Sequence, residues 1–332
     1  MATLVVKLGG AAITDKAKAD TLSFNLDTLV DKVAKVYLTQ LRPQGRAMVL
    51  IHGAGSFGHP PARRFQVKAG WVTAAAEKHA DKRHDATEYE YERTQPLMEH
   101  GEQERQDEVK FGMALTRQRV LQLHHHVLQR LQDRARLPVL SVSTYDTVET
   151  YQGQMTPESR TRLITRVCQL LAQGFIPLLF GDAVFDIAWG ATILSGDALM
   201  HALATDMGSV QRCVFVTDVA GIYTRDPKIF DDATLIRQLR CSSADRDQGQ
   251  GICEPHLAAS VVDHVDDVTG AMGSKWQWVQ RTMAEAPHVS EVVICQVSDV
   301  DRALAVAGGG DRGSGAAGAY DDDTCTWTSI VR

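Results

Sequence analysis

Two short apolar runs, each ending in glycines, set the strongest constraint on how this chain folds. Thr3 to Leu8 (TLVVKL) leads into Gly9-Gly10-Ala11, and Ala47 to Ile51 leads into His52-Gly53-Ala54-Gly55-Ser56-Phe57-Gly58-His59. A short apolar run bounded by turn residues reads as a strand buried on both faces. Between the two, Leu26, Leu29, Val30, Val33, Val36 and Leu41 keep helical spacing from about Asn25 until Pro43 and Gly45 stop it. The alternation then repeats. A helical period runs from about Val109 to Leu131, Pro138 to Ser143 reads as a strand, and Tyr145 to Met155 as a hairpin protruding from the sheet. Thr156-Pro157-Glu158 starts a helix with a capping hydroxyl, a first-turn proline and an acid at the positive dipole end, and Gly174 stops it. Phe175 to Phe180 is a buried strand ending in Gly181-Asp182, and Ala183 to Ile187 continues β-like. Strand, loop and helix follow over Thr192 to Gly208, a strand over Cys213 to Thr217, a helix after Gly270, and strands over Val289 to Gln296 and Thr324 to Val331. Such alternation predicts an α/β fold with a parallel sheet covered by helices on both faces.

Three stretches depart from this rhythm. Residues 60 to 107 are polar and charge-rich and suggest surface helices or a partly mobile lid. Cys241 to Asp266 is a polar insertion, and Gly308 to Asp323 is a Gly- and Ala-rich one expected to be a flexible loop. A soft boundary near residue 188 separates a half at 1–188, with both glycine loops, from a half at 189–332.

Charge limits the partners. The 35 Lys and Arg against 41 Asp and Glu give a net charge of -6 over 332 residues, with no basic stripe. Nucleic acid is therefore not the expected partner, because phosphate neutralisation supplies most of that affinity. A small anion needs only a local cationic pocket. Cys168, Cys213, Cys241, Cys253, Cys295 and Cys325 form no C-x-x-C pair, so reduced thiols in a cytoplasmic setting are expected. Neither a secretion signal nor an apolar run of ~20 residues is present, so no membrane partner is expected.

The segment Gly53-Ala54-Gly55-Ser56-Phe57-Gly58 matches G-x-G-x-x-G after a strand. Pro60-Pro61 follows at once, and no strand ending in an acid appears about 20 residues on, so the dinucleotide unit is incomplete. What remains is either a structural tight turn or a phosphate cradle, in which glycines let backbone N–H groups approach an anion beside a helix N-terminus. His59 at the loop's end is then a candidate donor to a phosphate oxygen, against its plainer reading as a surface histidine. Lys7 stands in an apolar strand and needs a partner or a ligand. Lys16 lies just beyond the first glycine loop, and Asp182 is placed to orient a lysine by ion pairing. No G-x-x-x-x-G-K-[ST] segment and no H-R-D with D-F-G pair occurs. His124-His125-His126 in a helical stretch cannot all face one metal and reads as surface. Asp321-Asp322-Asp323 reads as a solubilising loop, so no protein metal site is expected.

Taken together, VVKLGGAAITDK (5–16), IHGAGSFGHP (51–60), FGDAVFD (180–186), LSGDA (194–198), VTDVAGIYTRDP (216–227) and DVTGAMGSK (267–275) stand in the order of the amino-acid kinase superfamily. The second loop, G-A-G-S-F-G-H, resembles its isopentenyl phosphate kinase branch. The resemblance implies a three-layer α/β/α sandwich with a mainly parallel central sheet, a homodimer, and transfer of the ATP γ-phosphate, with Mg²⁺, to isopentenyl phosphate. It places the acceptor over the N-terminal half and ATP over the C-terminal half. Lys7, Gly9 and Gly10 are expected to meet the transferring phosphate. Ala54, Gly55, His59 and Gly181 would hold the acceptor, Lys16 would stabilise the transition state, and Asp182 would orient the lysines. Val216, Thr217, Asp218, Gly270 and Lys275 would line the nucleotide site. Ala198, Ala271 and Phe180 depart from the family's common second acid, glycine and histidine. A fosfomycin-type phosphonate kinase is the nearest enzymatic alternative, N-acetylglutamate or glutamate kinase a weaker one, and a silent nucleotide-binding regulator the alternative outside enzymes.

Overall fold

The computed structural model describes residues 1–72, 101–225, 227, 229–241, 253–255, 271–305 and 326–332. Its strands in chain order are β1 (Thr3–Leu8), β2 (Ala47–His52), β3 (Val139–Ser141), β4 (Thr150–Tyr151), β5 (Gln154–Met155), β6 (Ile176–Phe180), β7 (Asp182–Asp186), β8 (Gly190–Leu194), β9 (Val210–Thr217), β10 (Ile222–Tyr223), β11 (Leu235–Ile236), β12 (Gln238–Cys241), β13 (Cys253–Pro255), β14 (Glu291–Gln296) and β15 (Thr328–Val331). Its helices are α1 (Gly10–Ile13), α2 (Leu26–Val36), α3 (Gly55–Arg64), α4 (Glu102–Gln129), α5 (Thr144–Thr147), α6 (Pro157–Ala172), α7 (Gly196–Asp206), α8 (Ala271–Glu285) and α9 (Val300–Ala305).

Every residue of β1 and β2 is buried, which requires strand neighbours at both edges and helices over both faces. The main sheet meets that demand with the order β13-β12-β15-β14-β9-β1-β2-β6-β3. It is parallel except at the β14/β15 and β12/β13 pairs. Alternate residues of β1 feed two cores. Leu4, Val6 and Leu8 pack with α2, α4 and α9 on one face, and Val5 packs with α6, α7 and α8 on the other. The result is the α/β/α sandwich the strand and helix alternation predicts. Each fully buried Leu, Ile or Val contributes roughly 1.5–3 kcal/mol, so the cores rather than helix propensity hold the helices in place.

A four-stranded sheet, β5-β4-β7-β8, stands beside the main one, and its β4/β5 pair is the hairpin expected over Tyr145 to Met155. Residue 188 falls in the turn between antiparallel β7 and β8. The main sheet is continuous from one half to the other through the parallel β1/β9 pair.

Several local expectations need correction. His124 is not on the surface: it is 5% exposed and faces β2, while His125 alone of the triplet is exposed. At 100° per residue only one of three consecutive helical side chains can point into the sheet. Cys241 is disulfide-bonded, so the six thiols are not all reduced. The backbone register of β12 and β13 sets it directly across from Cys253, a pairing that chain spacing does not reveal. The helix expected from about Val109 begins at Glu102. Most of both insertions, including Asp321 to Asp323, and residues 73–100 of the expected lid lie outside the described residues, as does Gly270. Among the described residues no helix is long and apolar enough to cross a membrane.

Candidate functional site

Four adjacent parallel strands end at one level. Leu8 pairs across to His52 on one side and to Val216 on the other, and His52 pairs to Phe180. The chain therefore leaves β1, β2, β6 and β9 side by side at the carboxyl edge, where open α/β sheets bind ligands. There backbone packs directly on backbone. A Cβ on Gly10 would lie 2.6 Å from Gly55 Cα, and one on Gly181 would lie 3.0 Å from Gly196 N. The Gly9 N–H donates to the Val216 carbonyl at 2.8 Å. Thr14 ties the two glycine loops together: its hydroxyl donates to the Gly10 carbonyl at 2.8 Å and accepts the Ser56 N–H at 3.0 Å.

The N-termini of α3 and α7 open onto this edge and add partial positive charge. Helix α3 passes through both Pro60 and Pro61. Pro60 has no N–H for the Ser56 carbonyl, and that carbonyl accepts the Asp20 N–H at 3.3 Å instead. His59 lies four residues beyond Gly55 on α3, close enough to Lys7, Lys16 and Lys275 to feel their charge.

The cations converge from separate elements. Lys7 is 6% exposed, and its Nζ lies 2.5 Å from Asp197 Oδ1 and 5.8 Å from the centre of the Phe215 ring. Asp197 occupies the first turn of α7, which Ser195 caps by accepting the Ala198 N–H at 3.1 Å. Lys16 is exposed, with its Nζ 2.7 Å from Asp218 Oδ2 beyond the end of β9. Lys275 projects from α8. Its pKa is lowered by burial and then by Lys7, with Lys16 adding to the effect, while Asp197 and Asp218 pull the other way. The His59 ring has a solvent-facing side, yet the protein packed around it and then Arg63, Lys7, Lys275 and Lys16 lower its pKa. For Asp218, burial opposes ionisation, but the hydrogen bond and charge of Lys16 win and its pKa is lowered. Lys7, Lys16, Lys275, His59, Asp197 and Asp218 thus form one cluster of groups that pair with or act electrostatically on one another.

Asp182 does not join them as expected. It is 1% exposed, ion-paired with Arg117 from α4, and accepts the Ala183 N–H at 2.9 Å. Burial raises its pKa to about 7, against the opposing pull of Arg117. The Arg117 guanidinium also lies 3.9 Å from the centre of the Tyr145 ring. The acid that touches Lys7 is Asp197, which the sequence reading passed over. The sequence signals that a buried lysine demands a counter-charge, but not which acid supplies it.

The remaining expected residues fall around the same edge. Ala54 is the N-cap of α3, Gly181 links β6 to β7, Val216 and Thr217 end β9, and Asp218 follows it. Of the three departures, Phe180 is fully buried with its ring centre 4.3 Å from that of His124, and Ala198 is partly buried against the core beneath α7. Ala271 opens α8. Among the described residues no group of three His, Cys, Asp or Glu is assembled to hold a metal.

The model of the amino acid kinase family matches residues 2–279. The chain is 26% identical over 306 residues to an isopentenyl phosphate kinase of Methanothermobacter thermautotrophicus, spanning 91% of this chain and 94% of that one. It is 27% identical over 312 residues to an isopentenyl phosphate kinase of Arabidopsis thaliana, at 82% and 81% coverage. A solved isopentenyl phosphate kinase substrate complex shares the fold, with a TM-score of 0.63 at 18% identity over 98% of this chain and 99% of that one.

Proposed function

The chain belongs to the amino acid kinase family, and from that premise we propose that it transfers the γ-phosphate of ATP to isopentenyl phosphate, giving isopentenyl diphosphate and ADP. The acceptor oxygen forms a bond to the γ-phosphorus as the bond from that phosphorus to the β–γ bridging oxygen breaks, and ADP leaves with the electron pair. No base is needed, because an alkyl phosphate has a second pKa of about 6 and is largely ionised at neutral pH.

The obstacle is repulsion. One pair of unit charges 4 Å apart costs ~4 kcal/mol at an effective dielectric of 20, and two polyanions meet here. The Gly9 N–H is spent on the Val216 carbonyl, so Lys7 with the Gly10 amide faces the transferring group, Lys16 stabilises its transition state, and Lys275 with the Val216 to Asp218 strand end faces the nucleotide. Asp197 holds Lys7 in place. Mg²⁺ would enter on the nucleotide phosphates, which is how that ion is usually held, and would add further charge neutralisation there.

The observation that carries the acceptor class is His59. Its imidazole, whose pKa is lowered by burial and then by Arg63, Lys7, Lys275 and Lys16, offers an N–H to an acceptor phosphate beside Ala54, Gly55 and Gly181. The isopentenyl phosphate kinases among its relatives support the same reading.

The test incubates the protein with Mg-ATP and, separately, isopentenyl phosphate, dimethylallyl phosphate, fosfomycin and N-acetylglutamate, and measures ADP release. Turnover is expected to be fastest with isopentenyl phosphate. Preference for N-acetylglutamate refutes the acceptor class, and no turnover with any of the four makes the chain a nucleotide-binding regulator. His59→Ala is expected to lower turnover at least ~10-fold.

A further inference from the structure

A pair of buried imidazoles lies beneath the acceptor loop, and the mechanism above does not use it. His52, the last residue of β2, is completely buried. Its Nδ1 is 3.0 Å from the carbonyl oxygen of Gly53, and its Nε2 is 3.0 Å from Nδ1 of His124. His124 Nε2 is 2.7 Å from the Ser141 hydroxyl. The Phe180 ring packs on both, with centres 5.4 Å from His52 and 4.3 Å from His124.

These partners fix the protons. A carbonyl only accepts, so His52 Nδ1 carries the hydrogen and its Nε2 is the acceptor. His124 Nδ1–H then donates to it, and His124 Nε2 accepts the Ser141 hydroxyl. Both rings are neutral in this arrangement, and burial agrees, lowering their pKa values to about 4 and about 3.

The consequence falls on one peptide. Gly53 has no side chain to restrain it, and a carbonyl turned toward a bound phosphate would repel it. A trans peptide holds its C=O and N–H antiparallel, so drawing the Gly53 oxygen onto His52 turns the Ala54 N–H away from the buried ring. That N–H has no acceptor among the described residues, whereas the Ser56 N–H is already taken by Thr14.

We propose that His52, held in one tautomer by His124, is a positioning residue that locks the Gly53–Ala54 peptide with its N–H presented to the acceptor phosphate. The proposal rests on the acceptor reading above and extends it to two side chains that touch neither substrate.

The test uses His52→Leu, His52→Gln and His52→Asn in the full chain. Leucine removes both hydrogen bonds. Glutamine reaches toward His124 but loses the donor to Gly53, and asparagine keeps a donor near the Nδ1 position. Leu and Gln variants are expected to raise the KM for isopentenyl phosphate about 10-fold or more, the scale of a hydrogen bond to a charged group, with the KM for ATP within twofold. His52→Asn is expected to recover most of the loss. Should His52→Leu fail to fold, His124→Leu, which removes only the support of Nε2, is expected to raise the acceptor KM about threefold and leave that for ATP unchanged. Equal values for all His52 variants, or parallel losses for both substrates, overturn the proposal. Calorimetric titration with isopentenyl phosphate and with inorganic phosphate, without ATP, separates the two ideas. If the wild type binds either ligand and His52→Leu or His52→Gln binds it equally well, the positioning role fails and the acceptor reading stands. If the wild type binds neither, both fail.

Discussion

Replacing Asp197 by asparagine tests whether the lysines are organised as the structure has them. The Lys7–Asp197 pair is nearly buried, with side chains 8% and 13% exposed, at 2.5 Å. Coulomb attraction at that distance is ~7 kcal/mol at an effective dielectric of 20, but part of it offsets desolvation. Removing one partner of a buried pair costs about 3–5 kcal/mol, so Asp197→Asn is expected to lower the free energy of urea unfolding by ~3 kcal/mol or more. Released from its anchor, Lys7 shifts toward Phe215 or solvent. A misplacement of ~1 Å costs about 100-fold in rate, so kcat should fall by that order while both KM values stay within a few fold. The pH profile carries the sharper signature. Asp197 is one of two acids raising the pKa of Lys275 against burial, Lys7 and Lys16. Without it Lys275 loses its proton at lower pH, and the alkaline limb of kcat moves down. Asp182→Asn is the control: it deprives Arg117 of its partner and leaves Lys7 paired, so the alkaline limb should stay where it is in wild type. If Asp182→Asn moves that limb and Asp197→Asn does not, the lysines answer to Asp182 and the reasoning fails.

Three other outcomes are expected. Gly10→Ala would drive a methyl group to 2.6 Å from the Gly55 backbone and separate the two glycine loops; steady-state kinetics should show kcat/KM falling ~100-fold or more. Arg212→Leu leaves Glu291 buried without its cation at the amino-terminal edge of the sheet, far from the glycine loops; urea unfolding should lose ~3–5 kcal/mol while specific activity of the folded fraction holds, and adding Glu291→Leu should restore part of the loss. Acid stability has a defined sign. The unfolded chain protonates His52 and His124 near pH 6.5 and the native state only near pH 4 and pH 3, so they stabilise fully above pH 6.5 and lose that contribution as pH falls. Asp182, held protonated up to about pH 7, works in the opposite direction between pH 4 and 7. Two groups against one give a net rise of stability with pH between about pH 4.5 and 6, and the lowered pKa values of His59 and His201 add to it in the same direction. Unfolding free energies that are flat or fall over that interval would contradict the burial of the pair.

The parts of the fold legible in the sequence are those written in local code. Fully apolar runs such as AMVLIH and IPLLF can only be strands covered on both faces, and glycines at their ends mark where backbone must approach backbone. Lys7 was conspicuous because a cation between Val6 and Leu8 has no stable place without a partner. The partner itself was not legible. Asp197 lies 190 residues away, and three acids, Asp182, Asp186 and Asp197, stand near strand ends with no local feature to rank them; only the approach of α7 to β1 does so. Arg117 escaped notice for a related reason. Helix α4 is 28 residues long and rich in charge on several sides, so periodicity does not say which charged residue turns toward the sheet. The same ambiguity hid His124 among three histidines. Cys241 shows the limit in another form, because nothing in its spacing along the chain marks it as disulfide-bonded.

The counter-ions also explain how three lysines can stand together in the fold. Lys7, Lys16 and Lys275 lie within each other's field, and the lowered pKa of Lys275 is the visible cost of that crowding. Two carboxylates offset it, and they do so unequally. Lys7 and Asp197 are nearly buried, so separating them leaves uncompensated charge in a poorly solvated place, and the pair holds whatever occupies the cleft. Lys16 and Asp218 are 47% and 30% exposed, and an exposed ion pair is worth only about 0–1 kcal/mol. An arriving phosphate group competes easily for Lys16 and scarcely at all for Lys7. The two lysines therefore differ in kind. On the proposed function, Lys7 serves as a fixed charge of the site, and Lys16, held only by an exposed pair with Asp218, is the lysine that exchanges its partner for the phosphate.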